Sequence, residues 1–188
     1  MAEKRPICNY GGVKKELVSG DTLPVQAASD TVAGIAEAAT ISETNTGTDT
    51  GRFVTPDGLA GSVHGTRIVQ IKLIDDATAL TTGDGKVYFV IPSELNGFNL
   101  VDADAMVSTV SSSGTPTYQI HNLTQTADML TTRITIDASE RTSYTAAAAP
   151  VIDTANDDVA TGDVIRIDKD VAGTGEKGDT IVLSFQLP

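Results

Sequence analysis

The chain has 188 residues, of which 40% are hydrophobic, 20% are charged and only 4% are aromatic, with no tryptophan. This composition supports a core of aliphatic side chains and excludes a wholly disordered protein. The formal net charge of −12 argues against sequence-independent binding to nucleic acid and against an anionic membrane surface. We therefore expect neither nucleic acid nor membrane as a partner.

Cysteine content and hydropathy exclude further classes of protein. The single cysteine, Cys8, excludes an intrachain disulfide framework and a multi-cysteine metal site. The sequence lacks a run of about 18 apolar residues, so it predicts no membrane-spanning helix. The charged N-terminus has no apolar stretch after it and does not resemble a secretory signal. We expect synthesis in a host cytoplasm and release by another route, such as an assembled particle.

Residues 1–27 form the first predicted segment, an extended arm. Residues 1–16 carry a net charge of +2, whereas the rest of the chain carries −14. Frequent Gly and Pro leave no room for a long helix or strand. Such an arm is either a solvated tail or an anchor on an acidic partner surface. The residues that we expect to make the anchoring contacts are Lys4, Arg5, Ile7, Tyr10, Lys14 and Lys15.

Residues 28–65 form the second segment, a small module rich in Ala, Thr, Gly, Ser and Asp. Thr55 followed by Pro56 predicts the start of a short helix, and Thr40 with Glu43 predicts a second capped turn. Residues 44–51 read as loop. Arg52 is the only basic residue between Lys15 and Arg67, so we expect it to meet an acidic group. With so few bulky side chains, the module is expected to need neighbouring chains for stability.

Residues 66–188 have the period-two pattern of β-strands. Short, β-branched runs bounded by Gly, Pro, Ser or Asp, without amphipathic helices between them, predict an antiparallel β-sandwich of jelly-roll type. The fold class is therefore mainly β. The predicted strands cover residues 69–73, 86–91, 106–110, 117–122, 132–137, 164–168 and 180–187.

Residues 28–59 carry a series of separated motif elements. They are Gly34-Ile35, Ala39-Thr40, Glu43, Gly47-Thr48-Asp49, Arg52, Val54-Thr55-Pro56 and Leu59. This series resembles a module of bacteriophage tail-fibre proteins, whose usual form has Leu at Ala38 and Ala at Phe53. The region from Val87 to the C-terminus also resembles a β-domain carried by phage virion proteins.

The resemblance implies a virion structural protein, either a short fibre or a head-decoration component. Phage fibres and many phage decoration proteins are homotrimers, so the resemblance implies a homotrimer anchored by its N-terminal segment on other phage structural proteins of the capsid, neck or tail. The implied subunit-interface residues are Ile35, Arg52, Phe53 and Pro56. The alternative is a receptor-binding module for a host surface glycan, for which Tyr118 and Tyr144 are the candidate aromatic platforms.

Motifs that suggest chemistry are weak. Residues 173–178 fit G-x-G-x-x-G, but a strand follows instead of a helix, which predicts a hairpin loop. Asp168, Asp170 and Asp179 give a partial calcium-loop pattern, better explained as turn aspartates. Neither His64 nor His121 has a cysteine or a second histidine near it in the sequence. Adjacent carboxylates such as Asp157 and Asp158 do not establish a glycosidase pair. We expect neither an enzyme nor a cofactor.

Overall fold

The computed structural model describes residues 36–188 and, within the preceding segment, the backbone of residues 7–10 and 13–16. That backbone forms two antiparallel strands, β1 (Ile7–Tyr10) and β2 (Val13–Glu16). Their register pairs Tyr10 with Val13 and Ile7 with Glu16. The predicted arm therefore includes a short hairpin.

The module contains the two short helices that its capping residues predict. Helix α1 (Ile41–Thr46) begins after Thr40, whose hydroxyl accepts a hydrogen bond from the Glu43 amide. Helix α2 (Pro56–Ala60) begins after Thr55, which caps the Gly58 amide in the same way. The predicted loop at 44–51 is wrong in its first part, because α1 continues until Gly47 ends it in the left-handed conformation with φ of 66°.

Eleven further strands follow the module. They are β3 (Arg67–Lys72), β4 (Gly83–Val90), β5 (Phe98–Met106), β6 (Thr117–Asn122), β7 (Ala127–Asp128), β8 (Leu130–Thr132), β9 (Ile134–Thr135), β10 (Val151–Ile152), β11 (Asp158–Val159), β12 (Val164–Val171) and β13 (Thr180–Gln186). All the pairings between them are antiparallel.

The strands form a β-sandwich. One sheet has the order β11-β5-β13-β3, and the five-stranded sheet has the order β4-β12-β6-β7 with β9 added beside β6. The core unites aliphatic side chains of both sheets, among them Leu100 and Leu183 from the first and Ile120 and Ile167 from the second, all fully buried. The mainly β, antiparallel prediction is confirmed.

Three local predictions in the sandwich are wrong. The sequence predicts a strand at 106–110, but β5 begins before this range and ends at Met106. It ends there because the amides of Val107 and Ser108 donate hydrogen bonds to the loop carbonyls of Arg141 and Lys177. The strand predicted at 132–137 is divided between β8 and β9. Residues 173–178 are not a hairpin loop, because β12 and β13 lie in different sheets and this segment connects them.

Candidate subunit interface

Arg52 forms ion pairs with three acidic side chains of the module. Its guanidinium lies 3.0 Å from Oε2 of Glu37, 2.8 Å from Oδ2 of Asp49 and 2.5 Å from Oε1 of Glu43. The prediction that Arg52 meets an acidic group is confirmed, and these partners belong to its own chain. Arg52 therefore joins α1 to the segments on either side of it.

The charges of this cluster stabilise one another. The pKa of Glu43 lies below its ordinary value, first because the Thr40 amide and hydroxyl donate to its carboxylate and then because Arg52 is near. The pKa of Asp49 is lowered mainly by the Gly51 amide. The pKa of Arg52 is raised, with the hydrogen bond to Glu37 as the largest cause. Glu43, Asp49 and Arg52 are therefore ionised at neutral pH.

Backbone hydrogen bonds complete the module. Ala38 and Phe53 form a parallel bridge, in which the Ala39 amide donates to the Phe53 carbonyl at 2.8 Å and the Phe53 amide donates to the Glu37 carbonyl at 3.1 Å. The Val63 amide donates to Oδ1 of Asn45 at 2.9 Å. Within residues 36–65, polar contacts and not a hydrophobic core hold the chain together.

Large apolar side chains of the module remain on its surface. Within residues 36–65 the buried positions are Thr44, Gly58 and Ser62, none of which is large and apolar. The exposed apolar set, as we call it, has relative exposures between 46% and 62% and consists of Ile41, Phe53, Val54, Leu59 and Val63. Exposed apolar side chains of this kind make the surface of the module a candidate subunit interface.

Part of this surface is concave. Pro56, Leu59 and His64 of the module and Phe98 and Leu187 of the sandwich help to line a pocket of about 260 Å³. Pro56 is thus both the first residue of α2 and a wall of this pocket. Of the four predicted interface residues, Phe53 and Pro56 lie at the surface, Arg52 is engaged by its own acids, and Ile35 lies outside the described residues.

The predicted anchoring residues fall in or near the N-terminal hairpin. Lys4 and Arg5 lie outside the described residues. Ile7 and Tyr10 are the first and last residues of β1, and Lys14 and Lys15 are the central residues of β2. In the register of the hairpin, Lys15 is opposite Cys8 and Lys14 is opposite Asn9.

The candidate calcium ligands are not brought together. Asp168 accepts a hydrogen bond from the Gly85 amide at 2.7 Å and pairs with Arg166, while Asp170 pairs with Arg133. Asp179 is fully buried elsewhere. Among residues 36–188, no group of three or more His, Cys, Asp and Glu side chains is arranged to hold a metal ion.

The aromatic candidates for glycan binding differ from each other. Tyr118 is fully buried and its hydroxyl donates to Oδ2 of Asp179 at 2.9 Å, so the prediction of an exposed platform at Tyr118 is wrong. β6 places this ring in the core, and its pKa is raised mainly by burial. Tyr144 is 73% exposed and remains available.

Sequence reasoning missed a buried ionic cluster formed by Lys169, Glu176 and Asp179, with Tyr118 beside it. Its three charged residues lie within the segment that suggested a calcium loop. A usable signal was present, because Lys169 sits in a strand whose preceding residues are mainly aliphatic. Tyr118 lies far from these residues in the sequence, and nothing near it indicated that it would contact the cluster.

No protein-family model, curated protein or solved structure matches this chain. In the part of the chain that the structure describes, no helix has the length and apolar character needed to cross a membrane.

Proposed function

We propose that this chain is a structural protein of a bacteriophage virion, a homotrimeric short fibre or head-decoration component. The resemblance of residues 28–59 to a tail-fibre module is the basis for the phage assignment. The arrangement of a hairpin-containing arm, a small module and a β-sandwich suits an appendage that is fixed at one end and exposed at the other. Its location would be the virion, after synthesis in the host cytoplasm.

The observation that carries this proposal is the exposed apolar set. Burying apolar area contributes roughly 25 cal/mol per Å², so leaving these side chains in water forgoes stabilisation that an assembly could recover. In a trimer with the modules near the axis, the module of each copy would contact its neighbours, and cyclic symmetry would repeat the same contact three times. The Arg52 cluster would hold each module in shape while Phe53 and Leu59 make the intersubunit contacts.

The arm would supply the contact with the particle. Residues 1–16 carry a net positive charge on an otherwise acidic chain, which favours docking on an acidic surface of another phage structural protein. Lys14 and Lys15, the central residues of β2, would contribute two of these positive charges. The role is mechanical, and the proposal includes no enzymatic activity and no cofactor.

Two measurements test this function. Light scattering of the purified full chain should give the mass of a trimer, and a monomer at micromolar concentration would contradict the assembly. Deletion of residues 1–24 should leave a folded trimer that no longer joins virions. Incorporation at the level of the full chain would show that the arm is not the anchor.

Binding of a host surface glycan is the second candidate, and it has one supporting observation. Tyr144 is 73% exposed and lies near the exposed carboxylate of Asp102, which suits an aromatic platform with a hydrogen-bond acceptor beside it. Glycan-array binding that is lost in Tyr144→Ala would support this function. An array without any bound glycan would remove it.

A further inference from the structure

The buried ionic cluster joins the two sheets of the sandwich. Lys169 lies in β12, between β4 and β6 in the five-stranded sheet. Asp179 immediately precedes β13 of the other sheet, and Glu176 lies in the connection between these strands. Lys169 and Asp179 are fully buried and Glu176 is 1% exposed. The cluster therefore lies in a region that excludes bulk water.

The lysine is in direct contact with both carboxylates. Its Nζ atom touches Oδ2 of Asp179 and Oε1 of Glu176. The hydroxyl of Tyr118 donates to the same Oδ2 atom at 2.9 Å, and the lysine nitrogen lies 5.5 Å from the centre of the Tyr118 ring. An amine, a carboxyl carbon and a second carboxyl group are thus assembled at one point.

If the cluster is held only by ionic contacts, several of its buried carboxylate oxygens lack hydrogen-bond partners. One cation faces two carboxylates, and a buried ion pair offsets its desolvation only when the remaining lone pairs are also hydrogen-bonded. Both oxygens of Glu176 and Oδ1 of Asp179 are buried without an acceptor role in any hydrogen bond from the described residues. The Glu176 contact with Nζ is short enough for an ion pair but lacks hydrogen-bond geometry.

We propose that Lys169 and Asp179 are joined by a covalent amide bond between Nζ and Cγ, with Glu176 as the catalytic residue. Glu176 accepts a proton from the ammonium group, and the neutral amine attacks Cγ of Asp179. Glu176 delivers this proton to the departing oxygen, takes the second proton from the attacking nitrogen and passes it to the same oxygen. The C–N bond forms, one C–O bond breaks and one water molecule leaves.

The atoms and charges of this condensation balance without an oxidant or reductant. The ammonium group loses two protons and the Asp179 carboxylate loses one oxygen, which together make the water. Glu176 ends in the protonation state in which it began. Tyr118, which donates to Oδ2, holds that oxygen as the carbonyl oxygen of the new amide, so that Oδ1 departs.

The surroundings favour this reaction. Holding the amine against the carboxyl group removes the entropic cost of bringing two reactants together. Exclusion of water opposes the reverse hydrolysis. Gly173 lets the connecting loop lie directly on the cluster, because a Cβ atom there would be 2.7 Å from Oε2 of Glu176 and 2.4 Å from Cβ of Ser111.

The bond would link the sheets and close a ring over residues 170–178. A pulling force or a thermal fluctuation could then no longer separate β12 from β13. This inference depends only on the contacts of the cluster and is independent of the proposed virion function.

Intact mass spectrometry of the denatured full chain tests the bond. We expect a mass lower by one water molecule than the mass of the sequence. Lys169→Met and Glu176→Gln should restore the full mass, while Lys177→Gln, which alters an exposed lysine of the same loop, should keep the deficit. A full sequence mass in folded wild-type protein after prolonged incubation would overturn the proposal. A deficit that persists in Lys169→Met would also overturn it, because cyclisation at Asp57-Gly58 or Asp84-Gly85 loses the same mass.

Tryptic mapping locates the bond independently of variant folding. Trypsin does not cut after an amidated lysine, so residues 167–177 should remain whole and linked to residues 178–188. This linked pair has two amino termini, which distinguishes it from an uncut 167–188 peptide of the same mass. Recovery of a free 167–169 peptide in quantitative yield would contradict the bond.

Discussion

The side-chain amide of Gln186 in β13 donates hydrogen bonds to the carbonyl oxygens of Ser62 at 2.8 Å and of Ala60 at 3.3 Å. Ala60 is the last residue of helix α2 and Ser62 lies two residues beyond it, so one glutamine of the sandwich bonds both the final carbonyl of the helix and the segment that follows. The module thereby rests on the end of a central strand of the sandwich.

Replacement of this glutamine should loosen the module. Gln186→Ala removes two hydrogen bonds to partly buried carbonyls, and we expect a loss of about 1 to 2 kcal/mol in the free energy that protects residues 60–62 from opening. Hydrogen exchange of the amides from Leu59 to Thr66 would measure this loss. Gln70→Ala on β3 is the matched control, because Gln70 is exposed. Equal protection in both variants would show that Gln186 does not attach the module.

Acid should weaken helix α1. The folded-state pKa of Glu43 lies below its ordinary value of 4.5, so its stabilising contribution is present above that value and is lost as the pH falls through the folded pKa. Protonation weakens the acceptor of the Thr40 amide and removes the negative charge that pairs with Arg52. NMR shifts of the Thr40 and Glu43 amides should report this transition below pH 4.5.

The glutamine variant separates charge from capping in this test. Glu43→Gln keeps an acceptor at the third helical position but cannot titrate, so the acid transition of these amides should disappear. Glu94→Gln is the control, because Glu94 is exposed in a turn of the sandwich, and it should leave the acid transition of these amides unchanged. An unaltered transition in Glu43→Gln would assign the acid sensitivity to another group.

Two glycines with similar backbone angles should respond differently to alanine. Gly178 has φ of +71°, and a Cβ atom there would be 2.5 Å from Oγ of Ser108 and 2.7 Å from Cα of Asp76. Gly97 has φ of +76° with no atom within 4 Å of the added carbon. We expect Gly178→Ala to lower the free energy of unfolding by about 3 kcal/mol, and Gly97→Ala by about 1 kcal/mol. Chemical denaturation gives both values, and equal losses would show that the close approach at Gly178 relaxes without cost.

Polar substitution in the exposed apolar set should weaken the proposed trimer. Phe53→Ser and Leu59→Ser each remove a side chain that we expect to be buried between copies, at a cost of about 1 to 2 kcal/mol per copy. Sedimentation over a range of concentrations should show dissociation with unchanged circular dichroism. Tyr144→Ser, which alters a more exposed side chain of the sandwich, serves as the control. Unchanged association in both module variants would place the subunit interface elsewhere.

The features that could be predicted from the sequence are those that depend on neighbouring residues. Thr40 with Glu43 and Thr55 with Pro56 define helix starts because a capping side chain reaches only about three positions along the chain. Alternating residues in 117–122 predict β6 with its observed bounds, since side chains of a strand point to opposite faces in turn. The mainly β class follows from many such segments.

Only the tertiary structure placed β12 and β13 in different sheets, although a short connection separates them. The same segment therefore looked like a hairpin, and its aspartates looked like turn residues or calcium ligands. Lys169 meets Asp179 across the sandwich, and Asp179 meets Tyr118, which is 61 positions away in the chain. The partners of a strand and the surroundings of a buried charge depend on residues brought together by packing, which no local pattern encodes.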